Sequence, residues 1–114
     1  MVEDSGMSDV QKWELLSFAD KQAALATYFG VSKEFFAENS VFTQERAIKA
    51  IEQELAIIPD DPSWAKDSEH LRWYRNRLQA GALVCVWRSG HSPMYASTRD
   101  LLEIVAQQSK DKQK

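Results

Sequence analysis

Five guanidinium groups, those of Arg72, Arg75, Arg77, Arg88 and Arg99, fall in a stretch from His70 to Arg99 that contains no Asp or Glu. A guanidinium presents a planar fork of N–H donors that fits phosphate and carboxylate oxygens. Trp73, Tyr74 and Trp87 are interleaved with the arginines, and aromatic faces beside arginines suit stacking on a base or anchoring a protein partner. The remainder of the chain carries the opposite charge. Residues 1–69 hold 6 Lys and Arg against 14 Asp and Glu, a balance of −8, whereas residues 70–99 stand at +5 and the whole chain at −3. The basic segment therefore faces nucleic acid, an acidic protein, or the acidic half of its own fold. In the last case the arginines pair with Glu45, Glu52 or Glu54 of the preceding helix as surface ion pairs worth about 0–1 kcal/mol each.

Other reactive types are sparse. Catalysis needs a nucleophile with a base and an orienting group, or a metal cluster, and two well-separated histidines, His70 and His91, with one cysteine supply neither. Cys85 lies in the apolar run Ala82-Leu83-Val84-Cys85-Val86-Trp87, which predicts a buried, inert thiol. Asp60-Asp61, followed by Pro62, reads as a helix cap rather than a cation site. No P-loop, dinucleotide-binding glycine fingerprint or paired-cysteine motif occurs. The expectation is a protein without enzymatic activity, cofactor or metal.

These side chains need elements to hold them. Ser8 with Gln11 makes a capping box for a helix carrying Val10, Trp13 and Leu16 inward, and Ser17 with Asp20 offers a second cap before Gly30 ends the run. A short helix at about Lys33 to Glu38, bearing Phe35 and Phe36, comes next. Thr43 caps a helix whose Ala47, Ile48, Ile51, Leu55 and Ile58 share one face, while Glu45, Arg46, Lys49, Glu52, Gln53 and Glu54 face water. Asp61-Pro62 starts a helix over 62–79 with Trp64, Leu71, Tyr74 and Leu78 in one stripe. The apolar run 82–87 predicts a strand, Ser89-Gly90 a turn, and residues 94–96 a returning strand that Pro93 confines to an edge. A helix continuing through Gly81 is the competing reading. Ser97 and Asp100 cap a last helix with Leu101, Leu102, Ile104 and Val105 packed.

The segment Leu25-Ala26-Thr27-Tyr28-Phe29-Gly30-Val31-Ser32-Lys33-Glu34-Phe35-Phe36 resembles a piece of the Xre/Cro-type helix-turn-helix domain of phage repressors and many bacterial regulators. It fits that domain in two registers. In the first, Ala26 lies where two helices cross, Gly30 makes the turn, and Ser32 to Asn39 form the recognition helix. Lys33, Glu34 and Glu38 give that helix a net −1, which phosphate repels. In the second, the segment resembles the closing helices of the same domain, and residues Phe36 to Ile58 are similar to the onward sequence of some actinobacterial regulators of that type. Two aromatics after the turn match the second register better. Only 24 residues precede Leu25, too few for the upstream trio of helices, so nucleic-acid contact falls to residues 70–99. The resemblance spans about residues 22–58 and implies a transcription regulator.

Together these readings predict one α+β domain, mostly α, of about five helices with a small C-terminal β-hairpin, frayed over residues 1–7 and 109–114. The expected function is that of a small regulatory protein contacting nucleic acid, or an acidic or basic protein, through Arg72, Trp73, Arg75, Arg77 and Arg88. The alternative is an adaptor or inhibitor that binds protein through the acidic N-terminal half. No apolar stretch approaches the roughly 18 residues of a membrane span, and Met1 to Gly6 is acidic where a secretory signal is basic. A cytoplasmic location is the default expectation, and a homodimer is compatible with the pattern.

Overall fold

The computed structural model describes residues 7–88 and 90–112 of the 114-residue chain. Four of the five α-helices among the described residues start where a side chain satisfies one of the first free N–H groups, and the fourth in chain order is entered from a 3₁₀ turn instead. In α1 (Asp9–Glu14) the Ser8 hydroxyl accepts the Gln11 N–H at 3.3 Å while Gln11 Oε1 accepts the Ser8 N–H at 2.9 Å, burying Val10 and Trp13 on the inner face. Ser17 accepts the Asp20 N–H at 3.2 Å and opens α2 (Phe18–Phe29). That helix ends at Gly30, whose φ of +71° lets its own N–H and that of Val31 both donate to the Ala26 carbonyl, at 2.9 and 3.0 Å.

The helix expected from Lys33 to Glu38 does not form. Two 3₁₀ turns, Lys33–Phe35 and Glu38–Ser40, stand in its place, with Phe36 extended between them and its ring buried. A distant side chain decides this: Gln22 Nε2 on α2 donates to the carbonyls of Lys33 and Phe36 at 2.9 and 3.1 Å. A continuing α-helix would require the Phe36 carbonyl for its own ladder and would rotate the ring off the core.

Thr43 accepts the Arg46 N–H at 3.2 Å and starts α3 (Gln44–Ile57), with Ala47 and Ile51 buried. The Asp61 carboxylate accepts the Ser63 N–H at 3.0 Å, and a 3₁₀ turn, Pro62–Trp64, leads into α4 (Ala65–Gln79). At Gly81, φ +76°, the Gly81 N–H donates to Leu78 and the Ala82 N–H to Arg77, at 3.0 and 2.9 Å. This closure turns the chain into β1 (Leu83–Val86), which pairs antiparallel with β2 (Met94–Ser97), excluding a helix through Gly81. Ser97 Oγ then accepts the Asp100 N–H at 3.3 Å at the start of α5 (Thr98–Lys112). Helix α5 stays helical past Ser109, where the sequence predicts fraying. Gln108 Nε2 ties it to α2 by donating to Thr27 Oγ1 and the Ala23 carbonyl, at 3.0 and 3.4 Å. Of the expected frayed ends and hairpin turn, residues 1–6, Ser89, Gln113 and Lys114 lie outside the described residues.

The fold is thus α+β and mostly α, with five helices and one hairpin among the described residues. Side chains alternate across the hairpin, so its two faces serve two cores. Val84, Val86, Met94 and Ala96 pack with Trp13, Leu25, Phe36 and Leu101 of the α1, α2 and α5 side. Leu83, Cys85 and Tyr95 pack with Ala47, Ile51 and Leu78 of the α3 and α4 side. Residues 40–42 pair along the free edge of β1, through a Val41–Val86 bridge, Phe42 N–H to Cys85 O at 3.0 Å, and Trp87 N–H to Ser40 O at 2.9 Å. Gln44 joins three helices. Its N–H donates to Glu14 Oε2 at 2.7 Å, and its side-chain amide donates to the Leu78 and Gln79 carbonyls at 2.8 and 3.3 Å.

Candidate functional site

Helix α4 buries the stripe Leu71, Tyr74 and Leu78. At about 100° per residue, Arg72 and Trp73 come out on the opposite side, and both are exposed, Trp73 by 50%. Arg77, one turn beyond Trp73, lays its guanidinium over the indole at 4.9 Å from the ring centroid. Trp73 in turn meets Tyr74 edge-on at 5.2 Å, which fixes the indole against the helix. Arg75 lies on the other flank, next to Leu71 and Leu78. It is half-buried, and its Nε has no hydrogen-bond partner among the described residues. The outward patch on α4 is therefore Arg72, Trp73 and Arg77, without Arg75.

Arg88 does not join this patch. Beyond β1 it continues the register of Val84 and Val86, toward the α2 side, and its guanidinium rests 4.9 Å from the centroid of the Phe35 ring. Together with Trp87, Phe42, Arg46 and Asn39 it lines a cleft of about 490 Å³, and among the described residues no carboxylate lines it. Phe42 and Trp87 form its aromatic wall, their rings 28° from parallel at 6.1 Å. Trp87 is pinned by Nε1–H donating to the His91 carbonyl at 3.1 Å. Arg46 lies over Phe42 at 3.8 Å from the centroid and donates Nη1–H to the Asn39 carbonyl at 2.8 Å. Periodicity alone leaves Arg46 in water and passes over Phe42. The signal that could have joined them was their spacing of four residues across the start of α3.

Two arginines of the acid-free segment, Arg77 and Arg88, rest on rings instead of carboxylates. Among the described residues none of them forms an ion pair, and Glu45, Glu52 and Glu54 do not reach them. A guanidinium in an ion pair has its N–H fork occupied, whereas one lying flat on an aromatic face keeps its N–H edges open to an incoming anion.

The remaining chemical groups stand apart. Burial pushes the Cys85 thiol up to about 12 and raises Tyr95 well above the ordinary phenol range. His70 and His91 line different cavities, and Cys85 borders neither. Among the described residues no group of three His, Cys, Asp or Glu is placed to hold a metal ion, and no helix is long and apolar enough to cross a membrane. After the Gly30 turn, residues 32–39 hold only 3₁₀ turns, so the recognition helix of the first helix-turn-helix register is not formed. Comparison with protein-family models, with curated proteins and with solved structures returns no match.

Proposed function

We propose that this chain is a small, non-enzymatic regulatory protein that contacts nucleic acid through two arginine–aromatic surfaces, consistent with its resemblance to Xre-type regulators. One is Arg72, Trp73 and Arg77 on α4, and the other is the cleft of Arg46, Phe42, Trp87 and Arg88. The observation that carries this reading is the seating of Arg77 and Arg88 on Trp73 and Phe35 with no carboxylate partner among the described residues. Phosphates engage the open N–H edges, and an unpaired base stacks on the exposed indole of Trp73. Arg75 supports α4 from its flank. A cytoplasmic location goes with this role.

The test is a titration of labelled duplex and single-stranded oligonucleotides over a salt series. Affinity should fall steeply with salt, and Arg72→Ala and Arg77→Ala should each lower the log–log slope by about 0.9 on duplex or about 0.7 on single strands. No binding at low salt overturns the proposal. The second reading, a protein-binding adaptor working through the acidic half, is favoured by the 73% exposure of Leu15 and 75% of Ile57. It predicts no binding of either kind of oligonucleotide.

A further inference from the structure

A second cavity, of about 610 Å³, opens between the end of α3, the start of α4 and the entry to β2. Besides His70, three aromatic side chains line it. Tyr74 and Tyr95 are stacked on each other at 4.0 Å and 10°, and Trp64 lines the same cavity with 42% of its surface exposed and no ring contact to either among the described residues. The helical stripe read from sequence puts Trp64 with Leu71, Tyr74 and Leu78 in the core, so this indole stands further out than periodicity implies.

Its charge is the reverse of the arginine cleft. Glu54 and Asp67 line it together with His70, and among the described residues no lysine or arginine takes part. Glu54 is half-buried, although its helix position predicts a water-facing side chain, and its charge is among the causes that raise Tyr95. Among the described residues neither Glu54 nor Asp67 has an ion-pair or hydrogen-bond partner. The half-buried Glu54 and the exposed Asp67, in a cavity that Trp64 also lines with its indole exposed, favour a cation, since ring quadrupoles and carboxylates attract the same sign of charge. An inorganic divalent ion is poorly served, because no third carboxylate, histidine or cysteine joins them in a ligating group among the described residues. The apolar side chains of Ile57 and Pro59 complete the lining and suit a ligand with a hydrocarbon body.

We propose that this cavity binds an organic cation of the alkylated-ammonium class, its charged head beside Trp64, Glu54 and Asp67 and its apolar part along Ile57 and Pro59. The site is independent of the arginine surfaces, and its occupancy does not require nucleic acid.

The probe is choline, followed by the indole N–H signals of the tryptophans in ¹H–¹⁵N spectra of the full chain, with Trp64 assigned by Trp64→Phe. A saturable shift of the Trp64 signal should appear by about 30 mM, where a site of millimolar affinity is filled. The neutral isostere 3,3-dimethylbutan-1-ol should bind about tenfold more weakly, and Asp67→Asn or Glu54→Gln should weaken choline about threefold to tenfold. Both carboxylate variants preserve size, and their spectra report whether the fold is intact. A short peptide with one trimethyl-lysine distinguishes the source of the cation: tighter binding than choline points to a protein side chain, and equal or weaker binding to a free small molecule. The proposal is overturned if choline produces no saturable Trp64 shift, or if the isostere binds as well as choline.

Discussion

Gly30 and Gly81 both end a helix in the left-handed region, with φ of +71° and +76°, yet they should differ sharply in their tolerance of alanine. A Cβ in this region costs about 1–2 kcal/mol, and the stiffer unfolded chain returns about 0.4–1 kcal/mol. Gly30→Ala meets nothing within 4 Å, so it should lose only about 0.5–1 kcal/mol. At Gly81 the new Cβ would lie 3.1 Å from Val10 Cγ1 and 3.3 Å from Val10 Cβ. Val10 is a buried, β-branched residue on α1 with one strongly preferred rotamer, so relief must come from backbone movement, adding about 1–3 kcal/mol. With roughly 4 °C lost per kcal/mol for a domain of this size, Gly30→Ala should lower Tm by about 2–4 °C and Gly81→Ala by about 6–16 °C, read by circular dichroism. Val10→Ala removes the closer of the two contacts, that to Cγ1, and leaves the one to Cβ, so the Val10→Ala/Gly81→Ala double variant should lose less than the two single changes together. Equal Tm losses for the two glycine variants, or strict additivity in the double, would refute the packing argument.

The same geometry leads to three other outcomes. Cys85, with its thiol raised from 9.0 to about 12, holds its proton longer folded than unfolded, so it stabilises the fold fully below about pH 9 and loses that contribution as pH climbs toward 12. Tyr95 is displaced in the same direction; the urea midpoint should therefore fall between pH 8 and pH 10.5, and Cys85 should react with a disulfide reagent at the rate of unfolding rather than that of an exposed thiol. Gln44→Ala frees the Leu78 and Gln79 carbonyls and should cost about 1 kcal/mol in urea denaturation. Trp73→Ala should leave stability within about 0.5 kcal/mol because the ring is half exposed, while weakening single-stranded oligonucleotide binding by about fivefold or more; unchanged affinity would remove Trp73 from the contact surface.

What could be read from sequence was what is decided within one turn of chain. The Ser8–Gln11 box, the caps at Ser17, Thr43 and Ser97, and the glycine closures at Gly30 and Gly81 all involve groups a few residues apart. The hairpin was legible for a similar reason, because apolar β-formers sit on either side of a tight turn. The 33–38 segment was not, since Gln22 reaches it from another helix. The candidate site divides along the same line. Arg72, Trp73 and Arg77 are visible as a helical group, but spacing alone puts Arg75 on the surface without regard to its neighbours Leu71 and Leu78. The union of Phe42 and Arg46 with Trp87 and Arg88 depends on residues 40–42 pairing with the edge of β1, a long-range event that no local pattern announces. Glu54 is misplaced by periodicity because the amphipathic pattern of α3 says nothing of the cavity at its end.

The hairpin register links these observations to the proposed contact surface. Trp87 and Arg88 are adjacent and leave β1 toward opposite faces, Trp87 to the ring of Phe42 and Arg88 to that of Phe35. A slip of one residue would exchange them, carrying a guanidinium toward Phe42 and Arg46 and an indole toward Phe35, so Phe42 would lose its stacked partner and the Arg88 guanidinium would leave the Phe35 ring for the side of Arg46. Repulsion between Arg46 and the displaced guanidinium opposes that slip, as do the Val41–Val86 bridge and the bond from Trp87 N–H to Ser40 O. The cleft that offers open N–H edges to an anion is therefore held by the pairing that also separates the two cores, and neither can shift without the other.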